Sequence, residues 1–136
     1  MAEFSATDLT ICIPAYNAAA FIARTIGCAQ AQTYPHFRML ISVDRSDDDT
    51  AAICRAHAAA DRRIEVFEQS DRLGWAGNVN RLLERVETPF FFTYFHDDII
   101  LPQYCEMLRA TLIDRPELAS THCDLELFGE MEANKP

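Results

Sequence analysis

Short apolar runs alternate with helix-like segments along almost the whole chain. Residues 9–14 (LTICIP) form a nearly continuous apolar run, whereas residues 18–32 place apolar side chains three and four positions apart. A continuous apolar run is typical of a strand covered on both faces, and the second spacing is typical of a helix with one buried face. The same patterns predict further strands at residues 37–43, 64–68, 90–95 and 121–128, and further helices at residues 50–60, around residues 79–86 and at residues 103–113.

This alternation predicts the fold class. The connections between successive strands are too long for hairpins, so the strands are expected to run mostly parallel. We expect an α/β, Rossmann-like fold, in which a mostly parallel twisted sheet carries helices on both faces. Because the 136 residues contain no linker and no internal repeat, a single domain is expected over residues 1–136.

Polar residues cluster directly after each of the first four predicted strands. The clusters are residues 14–17, 44–49, 71–77 and 97–98. Parallel strands end at the same edge of a sheet, and sheets of this class bind ligands at that edge. The sequence therefore predicts one ligand site that is built from four loops.

The adjacent carboxylates at positions 97 and 98 are the sharpest chemical signal. Residues 88–102 read TPFFFTYFHDDIILP, so Asp97 and Asp98 end a strongly apolar segment. Two neighbouring anions repel each other and resist burial, whereas Mg²⁺ or Mn²⁺ binds carboxylate and phosphate oxygens together. One interpretation is a metal site, and the other is a solvated turn or a helix cap before Pro102.

The loop SVDRSDDDT, residues 42–50, carries four further aspartates. Residues 47–49 are expected mainly to favour the start of the helix near Thr50, where negative charge is stabilising. Asp44 stands at the end of the strand itself. It is therefore better placed to accept a hydrogen bond from a ligand.

Other residues of the four loops are weaker candidates. Tyr16 offers a ring on which a planar base could stack, although such a tyrosine is often a packing residue. The glycines of DRLGWAG, residues 71–77, would let the backbone approach a ligand closely. His96 is a candidate supporting group beside the acidic pair. The other histidines are expected to be structural, because no HxH or HExxH spacing predicts zinc.

Charge and cysteine content exclude several classes of function. Twelve Lys and Arg against 21 Asp and Glu give a net charge of −9, which disfavours the basic surface that nucleic-acid binding requires. Five Cys without a CxxC pair are typical of free thiols in a reducing compartment. The first ten residues, MAEFSATDLT, lack the basic and apolar regions of a signal peptide, and a cytoplasmic location is expected.

Four sequence blocks resemble, in their order and spacing, the family 2 glycosyltransferases with the GT-A fold. The blocks are ICIPAYN at residues 11–17, LISVDRSDDDT at residues 40–50, EQSDRLGWAGNVNRLLE at residues 68–84 and FTYFHDDIILP at residues 92–102. The resemblance extends from about residue 9 to residue 128. It implies that the chain is the nucleotide-sugar-binding half of a GT-A domain.

The resemblance also implies roles for individual residues. Pro14 and Tyr16 would flank the base, and Asp44 would approach the base or the ribose. Of the acidic pair, one aspartate would contact the ribose and the other would contact a diphosphate-bound Mn²⁺ or Mg²⁺. The metal is assigned to Asp98 first, and Asp97 is the second candidate. The implied nucleotide-sugar-binding residues are Pro14, Ala15, Tyr16, Asp44, Asp71, Gly74, Asn78 and Asp97.

The implied activity is transfer of a sugar, with inversion, from a nucleoside-diphosphate sugar to a hydroxyl of a sugar or glycan acceptor. A UDP-sugar is the expected donor. Two positions depart from the family pattern, because Val43 and Phe95 stand where aspartates are common. The identity of the base is therefore left open.

The length of the chain leaves a second interpretation. In the resembling family, the general base and most of the acceptor pocket lie in the second half of the catalytic domain, so a truncated portion of a longer enzyme is expected and the catalytic residues are unknown. The alternative is a non-catalytic module for binding or homodimer formation, and membrane contact is expected only through segments outside the chain. A phosphotransfer receiver is disfavoured, because the only lysine is Lys135.

Overall fold

The computed structural model describes residues 7–129, in which four strands alternate with four helices. The strands are β1 (Leu9–Ala15), β2 (Phe37–Val43), β3 (Ile64–Glu68) and β4 (Phe90–Thr93). The helices are α1 (Ile22–Gln30), α2 (Thr50–Ala60), α3 (Gly74–Leu83) and α4 (Tyr104–Asp114). The predicted order of these eight elements is confirmed.

The four strands form one parallel sheet in the order β3-β2-β1-β4. β1 pairs with β2 from Leu9 opposite Phe37 to Ala15 opposite Val43, and it pairs with β4 on its other side. The sheet therefore grows in one direction from β1 to β3 and then in the other direction at β4. Such a reversal opens a crevice at the carboxyl ends of β1 and β4, where open α/β sheets bind ligands.

Alternate side chains of the central strands enter two separate apolar cores. On one face, Ile11 of β1 and Met39 of β2 pack with residues of α1, α2 and α4. On the opposite face, Cys12 and Leu40 pack with Leu82 of α3. Helices thus cover both faces of the sheet, which explains why the strands are almost continuously apolar.

Helix α1 begins at Ile22, four residues later than the apolar spacing predicts. The N–H groups of Ala18 and Ala19 donate to Thr50 Oγ1 at 2.7 Å and to Asp48 Oδ2 at 3.0 Å, so they bind the next loop. The first helical hydrogen bond runs from Ile22 N–H to the Ala18 carbonyl at 2.8 Å. Contacts with the loop before α2 therefore set the start of this helix.

The predicted fifth strand at residues 121–128 is wrong, because this segment has no regular secondary structure. Its apolar side chains are exposed, and Leu125 is 88% exposed. A strand needs both a neighbour to pair with and a surface to cover. Within residues 7–129 the segment pairs with none of the four strands. The apolar residues of the segment predict a strand, but they do not show whether a neighbouring strand is there to pair with it.

None of the helices formed by residues 7–129 is long and apolar enough to cross a membrane.

Candidate functional site

The loops after β1 and β2 are tied together at the carboxyl edge of the sheet. The N–H of Asn17 donates to Ser46 Oγ at 3.1 Å, and Asn17 Oδ1 accepts from the N–H of Asp47 at 2.9 Å. Asn17 has a φ of 44°, a left-handed conformation that asparagine adopts more readily than most residues. The turn predicted after the first strand is thus held against the acidic loop.

The carboxylate of Asp48 stabilises the turn that leads into α2. Its Oδ1 accepts from the N–H and the hydroxyl of Thr50, at 3.0 Å and 2.5 Å. Burial acts to raise the pKa of Asp48, but the hydrogen bonds from Thr50 and Ala19 outweigh it and hold the pKa below its usual value. The expectation that residues 47–49 are mainly structural therefore agrees with the contacts of Asp48.

Asp44 is the most heavily bonded carboxylate of the site. It is only 1% exposed, and its two oxygens accept four hydrogen bonds. Two come from the N–H groups of Leu73 and Gly74 at the start of α3, at 2.8 and 2.9 Å, and one comes from Arg72 Nε at 2.8 Å. A negative charge is favourable beside the amino terminus of a helix. Asp44 therefore fastens α3 to the end of β2.

Arg72 links Asp44 to Tyr16. Its guanidinium carbon lies 3.3 Å from the centroid of the Tyr16 ring, while Nε bonds Asp44. The Arg72 side chain remains 47% exposed. Sequence reasoning missed this residue, although an arginine between two glycine-loop candidates in an acidic protein was a usable signal. The structure thus brings Tyr16, Asp44 and Gly74 into one cluster around the guanidinium of Arg72.

Asn78 supports the same region from below. It is 2% exposed, and its amide nitrogen donates to the carbonyl of Ser42 at 2.9 Å and more weakly to that of Ala15 at 3.4 Å. Its Oδ1 accepts from Ser42 Oγ at 2.5 Å. A ligand would have to displace these bonds to reach the amide. The predicted ligand contact stays a prediction, and the geometry favours a positioning role for Asn78.

Gly74 and Gly77, which were predicted to lie in a loop, form part of the first turn of α3, and both have steric reasons to be glycine. Gly74 has a φ of +74°, which strains any residue with a side chain. A Cβ at Gly77 would approach Leu73 Cβ to 3.0 Å. Asp71, by contrast, is exposed, and within residues 7–129 its carboxylate accepts only from its neighbour Ser70, at 3.2 Å. Its predicted ligand contact remains untested, and its carboxylate is accessible.

The loop that carries Asp97 and Asp98 is anchored through its backbone. Thr25 Oγ1 donates to the carbonyls of His96 and Asp98 at 2.7 and 3.2 Å, and the Tyr94 hydroxyl also donates to the Asp98 carbonyl at 3.1 Å. His96 Nδ1 lies 3.3 Å from the Pro14 carbonyl. These contacts hold the loop against α1 and the end of β1.

The carboxylates of this loop, in contrast, remain uncommitted. Asp97 and Asp98 are both exposed, and within residues 7–129 neither carboxylate forms a hydrogen bond or an ion pair. The pKa of Asp98 is raised above its usual value. The largest cause is partial burial of the carboxyl group, the second is the negative charge of Asp97, and His96 acts to lower the pKa. A helix cap would have used these oxygens. The capping interpretation therefore does not describe this pair.

The first, third and fourth loops meet through two contacts. His96 lies against the carbonyl of Pro14, and Phe95 stacks with Trp75 at a centroid distance of 6.2 Å. Because Trp75 follows Gly74 directly, the acidic pair belongs to the same rim as the Asp44 cluster. Trp75 and Thr25 were not recognised as site residues from the sequence.

Asp97 and Asp98 are the residues of this rim that could hold a divalent cation. No group of three or more His, Cys, Asp or Glu side chains able to bind a metal occurs in the part of the chain that the structure describes. Mg²⁺ in nucleotide sites commonly takes only one or two carboxylates and completes its shell with phosphate oxygens and water. Two adjacent free carboxylates therefore suit a cation that arrives with a diphosphate.

Comparison with known proteins identifies the family. The sequence model described as "Glycosyl transferase family 2" matches residues 10–128, which is most of the chain. The chain belongs to this family. The resemblance of the four sequence blocks is thereby confirmed for glycosyl transferase family 2.

A curated relative supports this membership, and a solved structure shows the same fold. The chain is similar to the putative teichuronic acid biosynthesis glycosyltransferase TuaG of Bacillus subtilis, with 31% identity over 90 residues, 66% of this chain and 36% of the relative. Its fold is similar to that of S. aureus TarS 1–349 in complex with UDP-GlcNAc, with a TM-score of 0.75 and 19% identity over 81% of this chain and 32% of that one.

A third similarity concerns a metal-containing complex. The mannosyltransferase PcManGT from Pyrobaculum calidifontis, in complex with GDP-Man and Mn²⁺, gives a TM-score of 0.54 with 24% identity over 58% of this chain and 24% of that one. These structures establish the GT-A type of fold. The chain spans about a third of the length of the curated relatives it matches.

Proposed function

We propose that this family 2 chain binds a nucleoside-diphosphate sugar, with UDP-sugars as the preferred donors, and that the whole protein transfers the sugar with inversion to a hydroxyl of a sugar or glycan acceptor. The observation that carries the proposal is the contrast between two sets of carboxylates on one rim. Asp44 is fully used in holding α3, whereas Asp97 and Asp98 are anchored by backbone and keep their oxygens free. This division suits a site in which Asp44 holds the loops in place and the free carboxylates of Asp97 and Asp98 are available to a ligand.

The base is proposed to bind beside Tyr16 and Arg72. A phenol ring and a guanidinium plane both stack on flat heterocycles. Asp44 has four donors for its four lone-pair sites, so a direct contact with the base requires one donor to leave. Arg72 is the one side-chain donor among the four, and its side chain is 47% exposed, so it is the donor that can move. Asp44 therefore contacts the base only after Arg72 moves away. If Arg72 stays in place, the role of Asp44 is to position the Arg72 guanidinium beside the base.

Asp98 and Asp97 are proposed to hold Mn²⁺ or Mg²⁺ together with the diphosphate. Their adjacent free carboxylates fit a hard cation, and PcManGT is described with GDP-Man and Mn²⁺. When bound, such a cation supplies charge neutralisation for the departing nucleoside diphosphate. Without it, a chain with a net charge of −9 would repel an anionic donor.

The residues of the chain would orient the donor, while the acceptor hydroxyl attacks the anomeric carbon from the face opposite the diphosphate. We assign no general base among the described residues. Transfer is therefore proposed for the whole protein, and donor binding is proposed for this chain. The predictions of a cytoplasmic location and of homodimer formation also remain predictions.

Calorimetric titration tests this proposal. UDP, UDP-GlcNAc and GDP-Man would be titrated with Mn²⁺ and, in parallel, with EDTA. We expect micromolar to millimolar binding that requires Mn²⁺ and that falls at least tenfold in Asp98→Asn, with a smaller or equal loss in Asp97→Asn. Asp124→Asn, an exposed aspartate outside the four loops, is the matched control and should bind as wild type. Failure of all three nucleotides to bind would favour the non-catalytic module instead.

A further inference from the structure

The rim carries an apolar feature that none of the roles above uses. Trp75, the only tryptophan of the chain, is 66% exposed. One face of its ring stacks on Phe95, with a centroid distance of 6.2 Å and an interplanar angle of 29°. An exposed indole backed by a second ring presents a flat apolar surface to solvent. Exposed aromatic surface of this kind commonly marks a site of binding.

The stacked pair is held in place from both sides. Trp75 lies in the first turn of α3, directly after Gly74, whose N–H is fixed by Asp44 at 2.9 Å. The carbonyl of Phe95 accepts from the N–H of Asp98 at 3.2 Å, so Phe95 is part of the turn that presents the acidic pair. The rings therefore connect the Asp44 cluster with the free carboxylates. A ligand that spans these two polar regions passes beside the exposed indole.

The chemistry of a nucleotide sugar decides which part of the ligand suits this surface. A diphosphate avoids apolar rings, and the base already has Tyr16 and the Arg72 guanidinium, which lie 3.3 Å apart. A pyranose has a face of C–H groups with hydroxyls around its edge, so it can cover an aromatic ring while it keeps its hydroxyls hydrogen-bonded. Binding sites combine such apolar walls with a few polar groups.

We propose that Trp75, stacked on Phe95, is a specificity-determining platform for the pyranose ring of a sugar at this site. The inference rests on the proposed function. The pyranose has two sources, the donor and the acceptor, and both present the same C–H face. Trp75 contributes by contact with the sugar, and Phe95 contributes by positioning the indole.

Intrinsic fluorescence reads the platform directly, because Trp75 is the sole source of tryptophan emission. The chain with Mn²⁺ would be titrated with UDP, UDP-GlcNAc, methyl β-glucoside and cellobiose, while calorimetry measures the same ligands on Trp75→Ala, Trp75→Phe and Phe95→Leu. Phe91→Ala removes another exposed aromatic ring, 53% exposed on β4, and serves as the control. Circular dichroism establishes that each variant is folded.

A donor platform predicts that Trp75→Ala weakens UDP-GlcNAc about tenfold and leaves UDP unchanged. Trp75→Phe should recover most of the loss, Phe95→Leu should show part of it, and Phe91→Ala should show none. An acceptor platform predicts that UDP and UDP-GlcNAc are unaffected, while the free saccharides change the emission of wild type and bind Trp75→Ala more weakly.

Two results overturn the platform. The first is an equal loss of UDP and UDP-GlcNAc in Trp75→Ala, which would assign the indole to the base or to the packing of α3. The second is unchanged affinity for every ligand in Trp75→Ala. If wild type binds no nucleotide, the proposed function fails, but the saccharide titrations still decide whether the indole binds a pyranose.

Discussion

Arg109 on α4 donates hydrogen bonds from two of its nitrogens to the carboxylate of Asp8, the residue just before β1. Asp8 is 1% exposed, and Tyr34 also donates to it at 2.6 Å. The Arg109 guanidinium lies 4.6 Å from the centroid of the Tyr34 ring. This cluster is at the amino-terminal end of the sheet, away from the ligand rim. It joins parts of the chain that are 101 residues apart.

Replacement of Arg109 should destabilise the protein strongly. Arg109→Met leaves the buried Asp8 carboxylate with only part of its partners, and loss of one member of a buried ion pair costs about 3–5 kcal/mol. Urea unfolding followed by circular dichroism measures the change. Arg115→Met removes an exposed pair with Glu117, 3.1 Å apart, and should cost less than about 1 kcal/mol. Equal midpoints for the two variants would contradict the importance of the Asp8 cluster.

The Asp8 cluster also predicts a loss of stability in acid. Burial of Asp8 acts to raise its pKa, but the hydrogen bonds from Arg109 and Tyr34 outweigh burial, and the pKa lies below its usual value. A carboxyl group with a lowered pKa in the folded state stabilises the fold above its unfolded pKa of about 4. This contribution is lost as the pH falls through the folded value.

The measurement is urea unfolding of wild type and Asp8→Asn between pH 7 and pH 3. Asp48 and Asp61 also have lowered pKa values, so wild type loses stability in acid for more than one reason. The difference between wild type and Asp8→Asn isolates Asp8. It should be largest near neutral pH and should shrink below about pH 4. A difference that is constant with pH would refute the assignment.

Asp44→Asn should loosen the start of α3. The asparagine amide brings N–H groups towards the N–H donors of Leu73 and Gly74, so at least one buried donor loses its acceptor at a cost of about 1–3 kcal/mol. Hydrogen exchange should increase at Leu73 and Gly74 more than in the sheet. Asp47→Asn, an exposed residue of the same loop, is the control and should leave exchange at α3 unchanged.

Thiol labelling should separate the cysteines by burial. Burial raises the pKa of Cys12 to about 11, and it raises the pKa of Cys54 and of Cys105 to about 12. The thiolate is the reactive form, so these three should resist iodoacetamide at pH 8. Exposed Cys123 should react within minutes. Mass spectrometry of the native protein and of the protein in urea, where all five react, makes the comparison.

Predictions from the sequence succeeded where the chain signals locally. The order of the eight elements follows from apolar spacing, and the convergence of four loops follows from parallel strands. The strand predicted at residues 121–128 is wrong, because the apolar pattern describes the segment itself and not the neighbouring strand with which it would have to pair. The late start of α1 was also hidden, since Thr50 and Asp48 bind the N–H groups of Ala18 and Ala19 from another loop.

The site shows the same division. The four blocks predicted the family and indicated Asp44 and the acidic pair as candidate ligand contacts. They did not distinguish a carboxylate that is fully bonded from carboxylates that are free. Arg72, lying on Tyr16, and Trp75, lying on Phe95, were missed because each contact joins loops that are distant in the chain.

Apolar periodicity and motif order predicted the α/β alternation, the family and the residues that gather at one edge of the sheet, because both are properties of residues that lie close together along the chain. The contacts that each of those residues makes depend on the packing of the loops and could not be predicted from the chain alone. A carboxylate oxygen can accept only a few hydrogen bonds. Whether it accepts from a backbone donor, as Asp44 does from Gly74 N–H, or stays free for a ligand depends on which loops meet in space.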